Sequence, residues 1–243
     1  MKVSGRDAYV GEIAERYDCD RVVEEIWEKE QRYVEQLVSS FGNDETVLDI
    51  PSGTGRFLEM YLEKGLAVIA ADISEDMLSV AKGKKNSEGS VKFQIEDACA
   101  LSLSDNSCDH IICWRLAHLL SSSALERVLS EFSRVARKSV IIQFYRVEKE
   151  QGYIEKICLR VKQFCAAIKK ILLKVCIKNC AADEGSSGAA VTPWEHIETF
   201  THAHQHIFLA SKSVGLSIVR VDTIDDKVNG ENIYVFKKNI EAH

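Results

Sequence analysis

A strand, a glycine turn and a helix follow one another without a break early in the sequence. Residues 46–50 (TVLDI) have the composition of a buried strand, and Gly53 and Gly55 follow at once. Glycines one residue apart let the backbone pass close to a ligand. Leu58 stands where a dinucleotide fingerprint has its third glycine, and Asp49 would repel a pyrophosphate but attract an ammonium group. The segment therefore favours a small-molecule site over the dinucleotide site of a dehydrogenase.

Strand and helix patterns alternate around and after this turn. Further apolar strand patterns occur at 67–71, 91–95, 110–114 and 139–145, with helical patterns at 57–64, 74–82 and 123–137. A helical pattern near 208–214 precedes two last strand patterns at 216–222 and 233–236. The alternation predicts an α/β fold in which helices cover both faces of a parallel sheet. Right-handed crossovers leave few topologies for such a sheet.

Two helical segments lie outside this alternation. Residues 8–40 carry apolar side chains at helical spacing ahead of the first strand. Residues 146–192 contain a long amphipathic helix over 153–180 and then a small, polar connector, AADEGSSGAA. We expect residues 1–243 to form a single domain in which these two segments are additions to one core.

Charge and cysteine content bear on partners and compartment. The net charge is −6, yet residues 153–180 carry seven Lys or Arg against one Glu, which leaves −12 for the rest. Duplex nucleic-acid binders are more often basic overall, so nucleic acid is not an expected partner. The sequence shows neither a signal-peptide pattern nor a CxxC pair, so we expect a cytoplasmic protein whose eight cysteines are thiols.

Three further elements follow the Gly-x-Gly turn in order. They are Asp72 after the second strand, Glu96-Asp97-Ala98 after the third, and Cys108 to Arg115 as the fourth. With them, residues 45–145 resemble the class I S-adenosylmethionine-dependent methyltransferases, most closely their type 11-like group. The resemblance implies a Rossmann-like doubly wound, mostly parallel seven-stranded sheet with S-adenosylmethionine as cofactor. It also implies an N-terminal helical lid (1–42) and a helical insertion with a flexible connector after the fifth strand (146–192).

The resemblance also assigns roles in cofactor binding. Asp72 would accept the two ribose hydroxyls, Asp97 the adenine amine, and the Ala98 amide would face the adenine edge. Asp72 as a lead into a helix cap, and Asp97 as an ordinary turn residue, are the alternatives. The full set of implied cofactor contacts is Tyr17, Asp49, Ser52, Gly53, Thr54, Gly55, Asp72, Ile73, Met77, Asp97, Ala98 and Trp114.

The fourth strand ends where a methyl acceptor would lie, because open α/β sheets bind ligands at the carboxyl ends of their strands. Arg115 and His118 are the catalytic candidates there, and His118 would act as a base if it faced the pocket. A capping or surface histidine is the alternative for His118. Tyr17 is a lid candidate, or else a core tyrosine.

Two other features have several interpretations. His202-x-His204-x-His206 would be a substrate wall, a solvated loop or a metal site, and we expect no metal because no acidic or thiol partner adjoins the triplet. The helix at 153–180 would be an acceptor cap, a peripheral membrane contact, a dimer contact or plain core.

The sequence thus favours a methyltransferase with a small-molecule or lipid-like acceptor. A non-catalytic binding module of the same fold and an RNA methyltransferase are the alternatives. The oligomeric state is left open by the sequence.

Overall fold

The computed structural model describes residues 11–21, 25–84, 91–145, 202–224 and 231–239 of the 243-residue chain. Its helices are α1 (Glu12–Arg21), α2 (Glu25–Ser39), α3 (Leu58–Glu63), α4 (Glu75–Lys82), α5 (Ser122–Val135) and α6 (His204–Ser213), with a 3-10 turn at Ala117–Leu119. Its strands are β1 (Thr46–Asp49), β2 (Ala67–Asp72), β3 (Val91–Ile95), β4 (Cys108–Cys113), β5 (Ala136–Tyr145), β6 (Leu216–Thr223) and β7 (Glu231–Lys238).

The described residues belong to one compact unit, made of residues 1–146 and 197–243. A second unit comprises residues 147–196, which lie outside the described residues. The predicted insertion at 146–192 and its basic helix at 153–180 therefore stay predictions. Among the described helices, none combines the length and the apolar character needed to cross a bilayer.

Seven strands form one sheet in the order β3-β2-β1-β4-β5-β7-β6. The first five strands in that order pair in parallel, whereas β7 runs antiparallel to both β5 and β6. The predicted Rossmann-like, mostly parallel seven-stranded fold is confirmed. Strand order reverses between β1 and β4, and doubly wound sheets bind ligands in the crevice at this reversal.

Apolar side chains cover both faces of the sheet, because successive strand residues point to opposite sides. One face packs Leu48, Ile111 and Val140 against α5 residues Leu129 and Phe132. The other face packs Val47, Ile112 and Ile141 against Val34 and Val38 of α2 and Leu58 of α3. Every residue of β4 is buried, as expected for a central strand covered on both sides.

The observed boundaries refine the predicted ones. The predicted helix over 8–40 is described as two helices, α1 and α2, with residues 22–24 between them outside the described part. Helix α6 begins at His204, four residues earlier than its pattern indicated. Ser121 caps α5 by accepting a hydrogen bond from the Ala124 amide (3.3 Å), which fixes where that helix begins.

Candidate functional site

The turn between β1 and α3 is shaped by its two glycines. Gly53 (φ +53°) and Gly55 (φ +75°) both adopt left-handed backbone conformations, which glycine enters at little cost. A Cβ on Gly55 would lie 2.6 Å from Leu58 Cδ1 and 3.1 Å from Ala81 Cβ, so this position also lacks space for a side chain. The turn is fixed to β2 by a hydrogen bond from the Ser52 amide to the Ala71 carbonyl (2.8 Å).

Asp72 fixes the same turn through hydrogen bonds to its backbone. Its Oδ2 accepts a hydrogen bond from the Gly53 amide and its Oδ1 from the Ser74 amide, both at 2.9 Å. Burial raises the pKa of Asp72, although the backbone donors oppose that rise. Ser74 itself caps α4 by accepting from the Met77 amide, so Asp72 supports the turn and also leads into this cap. A carboxylate offers about four lone-pair sites, so Asp72 retains acceptor capacity for a ligand.

A cavity of about 360 Å³ opens beside this turn. Small-molecule sites have volumes of about 300–1,000 Å³, and this one lies at the carboxyl ends of β1, β2 and β4. Ten of the twelve predicted cofactor residues line it: Tyr17, Ser52, Gly53, Thr54, Asp72, Ile73, Met77, Asp97, Ala98 and Trp114. Asp49 and Gly55 are not among the residues that line the cavity, whereas Arg115 is.

Asp49 is a fully buried carboxyl group whose two oxygens have no hydrogen-bond partner within the described residues. Burial and the charge of Asp72 raise its pKa well above the ordinary value. Ser52 Oγ and Trp114 Nε1, on the cavity wall, also lack protein partners in this part of the chain. Buried polar atoms are normally hydrogen-bonded, so the Asp49 and Ser52 oxygens are suited to donor groups of a ligand and the Trp114 N–H to an acceptor.

The turn after β3 forms another part of the cavity wall. Asp97 Oδ1 accepts a hydrogen bond from the Cys99 amide (2.9 Å), and the Asp97 carbonyl accepts from the Ala100 amide (2.8 Å). Asp97 is therefore a turn residue and a cavity residue at once. Cys99 and Arg127 extend the wall beyond it.

A buried carboxylate that the sequence did not point to organises the end of the cavity near α2. Glu30 has no exposed surface, and its oxygens accept hydrogen bonds from Arg56 Nη1 (2.5 Å), Arg115 Nε (3.2 Å), Arg115 Nη2 (3.1 Å) and Gln143 Nε2 (2.8 Å). Gln143 in turn accepts from the Arg115 amide (2.7 Å). Arg115 has φ +55°, a strained conformation for a non-glycine residue, and these contacts hold it there.

Comparison with known proteins gives the family. The profile of a family described as a methyltransferase domain matches residues 47–139, which span the turn, Asp72, Asp97 and β4. Residues 47–139 form a class I S-adenosylmethionine-dependent methyltransferase domain. The predicted family and its cofactor, S-adenosylmethionine, are confirmed.

Curated relatives of the methyltransferase domain include enzymes with different acceptors. A demethylmenaquinone methyltransferase of Renibacterium salmoninarum is 31% identical over 143 residues, which is 56% of this chain and 57% of that protein. A malonyl-[acyl-carrier protein] O-methyltransferase of Hamiltonella defensa is 34% identical over 98 residues, covering 40% of this chain and 36% of its own length. The chain thus spans about half the length, or less, of these relatives.

Solved structures share the fold over nearly the whole chain. Magnesium protoporphyrin IX methyltransferase from Synechocystis aligns with a TM-score of 0.65 at 15% identity, covering 96% of this chain and 97% of that one. A cyclase aligns with a TM-score of 0.59 at 12% identity over 88% of this chain and 83% of its own. At these identities the likeness concerns the fold alone.

The two catalytic candidates, Arg115 and His118, lie in different surroundings. Arg115 is on the cavity wall, where its guanidinium is paired with Glu30. His118 lies off the wall, with its ring 4.4 Å from that of Tyr145. Burial and the positive charges of Arg115 and Arg21 lower the pKa of His118 to about 3. A neutral imidazole with such a pKa is a weak base at pH 7, so the geometry gives the predicted base role no support.

His202, just before α6, and His204 and His206 within it form several different contacts. His202 Nε2 is 3.0 Å from the Ala117 carbonyl, and His204 Nδ1 is 2.8 Å from the Tyr234 hydroxyl. The His202 and His206 rings are stacked, with centroids 6.0 Å apart. Within the described ranges, no group of three or more His, Cys, Asp or Glu side chains is arranged to hold a metal ion.

One pattern in the sequence could have predicted the buried carboxylate Glu30. Trp27, Glu30, Val34 and Val38 follow the helical spacing of the buried face of α2, so Glu30 is a charged residue within an apolar stripe. A charged residue at such a position needs a buried partner. The sequence could have flagged Glu30 on this ground, but it could not name Arg56 and Arg115 as the partners.

Proposed function

We propose that this chain transfers a methyl group from S-adenosylmethionine to a small-molecule or lipid-like acceptor. The observation that carries the proposal is the cavity at the strand reversal, lined by ten of the twelve residues expected to hold the cofactor. The relatives' names include a quinone precursor and a carrier-bound malonyl group as acceptors, which supports this class of acceptor.

The residues around the cavity suit the parts of the cofactor. Asp72 would accept the ribose hydroxyls, Asp97 and the Ala98 amide would address the adenine, and Asp49 would be the partner of the ammonium group. Asp49 is buried without a hydrogen-bond partner among the described residues, which supports its assignment because a cationic ligand would favour the ionised carboxylate. The left-handed turn at Gly53 leaves room for the methionine portion.

When bound, the cofactor supplies an electrophilic methyl group for in-line displacement, in which positioning accounts for much of the rate acceleration. The protein contributes by orienting the reactants and excluding water. Trp27, Phe57 and Trp114 form an apolar wall next to the glycine turn. Because His118 is neutral and lies off the wall, we do not expect His118 to take a proton from the acceptor.

The alternatives differ in what they require of these residues. A module that binds no cofactor has no need of such polar atoms, so Ser52 Oγ and Trp114 Nε1, which line the cavity and lack partners among the described residues, favour ligand binding. An RNA methyltransferase stays a weaker alternative because the chain is acidic overall. We also propose a cytoplasmic location, because Cys19, Cys99, Cys108 and Cys113 are free thiols, which suits a reducing compartment.

Native mass spectrometry of the purified protein tests the proposal first. We expect S-adenosylmethionine or S-adenosylhomocysteine to co-purify, or either to bind with about micromolar affinity in calorimetry. An acceptor screen that detects S-adenosylhomocysteine would then follow. Absence of measurable binding of both compounds would refute the proposed function.

A further inference from the structure

Few apolar side chains attach α1 (Glu12–Arg21) to the rest of the domain. Of its described apolar side chains, Ala14 is buried and Tyr17 is half-buried, whereas Ile13 is 44% exposed. A helix in a protein is stabilised mostly by the packing of an apolar face. Apolar packing therefore gives α1 only a weak attachment, and its polar contacts carry more of it.

Asp18 joins α1 to two other parts of the domain. Its Oδ1 accepts a hydrogen bond from the Thr54 hydroxyl (2.5 Å), and its Oδ2 accepts one from Lys84 Nζ (2.7 Å), just after α4. Both bonds involve a charged group, and such hydrogen bonds are roughly twice as strong as neutral ones. The Lys84 and Asp18 side chains are 37% and 34% exposed, so solvent weakens their ion pair.

These contacts hold α1 against the cofactor cavity. Thr54 is buried in the glycine turn and lines the cavity, and Tyr17, next to Asp18 in the helix, lines it as well. Ahead of the helix, the Gly11 amide donates a hydrogen bond to Asp76 Oδ2 of α4 (2.7 Å). The position of α1 therefore determines whether the Tyr17 part of the cavity wall is in place.

We propose that Asp18 is a positioning residue of the cofactor site: by anchoring α1 to Thr54 and Lys84, it sets how fast the cofactor enters and leaves the cavity. A segment with few buried apolar contacts opens at a low cost in free energy. A ligand that passes only through the open form exchanges at rates proportional to the open fraction. The inference rests on the proposed cofactor site and makes no assumption about the methyl acceptor.

The rates of S-adenosylhomocysteine binding test this role. Trp27 and Trp114 line the cavity, so stopped-flow fluorescence can follow binding. We expect Asp18→Ala to raise the association and dissociation rate constants together, each by about tenfold, and to change Kd by less than about threefold. Glu15→Ala removes an exposed carboxylate of the same helix and is the matched control, with both rate constants unchanged.

The association rate separates this role from general damage to the site. Opening of α1 precedes both entry and exit, so loss of its anchor accelerates both. A damaged cavity would release the ligand faster but would bind it no faster. That pattern, or rate constants equal to those of the parent protein, would overturn the proposal.

Hydrogen–deuterium exchange of the free protein tests the anchor without any cofactor. Asp18→Ala should speed deuterium uptake by the α1 amides about tenfold and leave uptake by the α5 amides unchanged. Glu15→Ala should alter neither. Uptake by α1 as slow as in the parent protein would overturn the proposal. Failure of the parent protein to bind S-adenosylhomocysteine would instead refute the proposed function, and the exchange result would then decide the role of Asp18.

A double-mutant cycle in the same exchange assay tests the partner of Asp18. Lys84→Met should speed uptake by α1 less than Asp18→Ala does, because the bond from Thr54 remains. In the Asp18→Ala background, Lys84→Met should have no further effect, since residues that act through one contact are not additive. Additive effects of the two changes would contradict the anchor.

Discussion

Replacing Gly55 with alanine tests whether the turn at the cofactor site depends on space as well as on backbone conformation. Gly65 is a matched control, because its φ of +79° is close to the +75° of Gly55 while a Cβ there would meet nothing within 4 Å. A left-handed conformation costs a non-glycine residue about 1–2 kcal/mol, and this cost should apply to both variants. The difference in unfolding free energy between the two variants therefore measures the packing cost alone.

The packing cost at Gly55 follows from two distances. The added methyl would lie 2.6 Å from Leu58 Cδ1 and 3.1 Å from Ala81 Cβ, and both of those side chains are buried. Overpacking of this kind costs about 1–3 kcal/mol. Gly65→Ala should therefore lose about 1–2 kcal/mol of unfolding free energy, and Gly55→Ala about 2–5 kcal/mol.

Urea denaturation followed by circular dichroism measures both losses. Each kcal/mol should also lower Tm by about 2–4 °C in a chain of this size. S-adenosylhomocysteine affinity should be unchanged in Gly65→Ala and weakened in Gly55→Ala, whose turn shifts. Equal destabilisation of the two variants would show that Leu58 moves aside freely, and the spatial part of the reasoning would be refuted.

Three other changes test separate parts of the structure. Asp72→Ala should weaken S-adenosylhomocysteine binding at least tenfold in calorimetry, since a lost hydrogen-bonding carboxylate leaves polar groups unpaired at about 1–3 kcal/mol; unchanged affinity would remove Asp72 from the site. The raised pKa of Glu231, about 8, means that the folded state holds a proton that the unfolded state releases, so stability falls as pH rises from about 4.3 to 8. Glu231→Gln should flatten that dependence in urea midpoints measured at pH 5 and pH 8, and an unaltered slope would contradict the assignment. Tyr33→Phe removes the 2.5 Å hydrogen bond to Asp222 and should cost about 1 kcal/mol in the same assay, whereas no loss would show that this bond adds nothing net.

The cofactor half of the site was accessible from the sequence because its determinants are local. The strand, the Gly53 turn and Asp72 follow one another within two strand–helix units, so their spacing alone predicts their proximity. The structure adds that Asp72 holds the Gly53 amide, a contact that sequence spacing could not specify.

The other half was not accessible because it joins distant parts of the chain. Glu30 is hydrogen-bonded to Arg115, which lies 85 residues later in the sequence, and to Gln143, which lies 113 residues later. No periodicity in the sequence records which side chains meet over such separations. His118 was placed near the acceptor by its distance from β4, but the left-handed Arg115 and the 3-10 turn after it direct that ring towards Tyr145.

The bond between Tyr33 and Asp222 has a consequence for how the protein is made. Its two residues are 189 positions apart, so α2 cannot complete its contacts until β6 has left the ribosome. At about 5–20 residues per second, synthesis of that interval takes about 10–40 s. Throughout it, the apolar face of α2 that carries Val34 and Val38 lacks its final anchor at the end of the sheet. This hydrogen bond therefore forms late in synthesis, after the apolar partners of α2 such as Val47 and Leu58 have already been made.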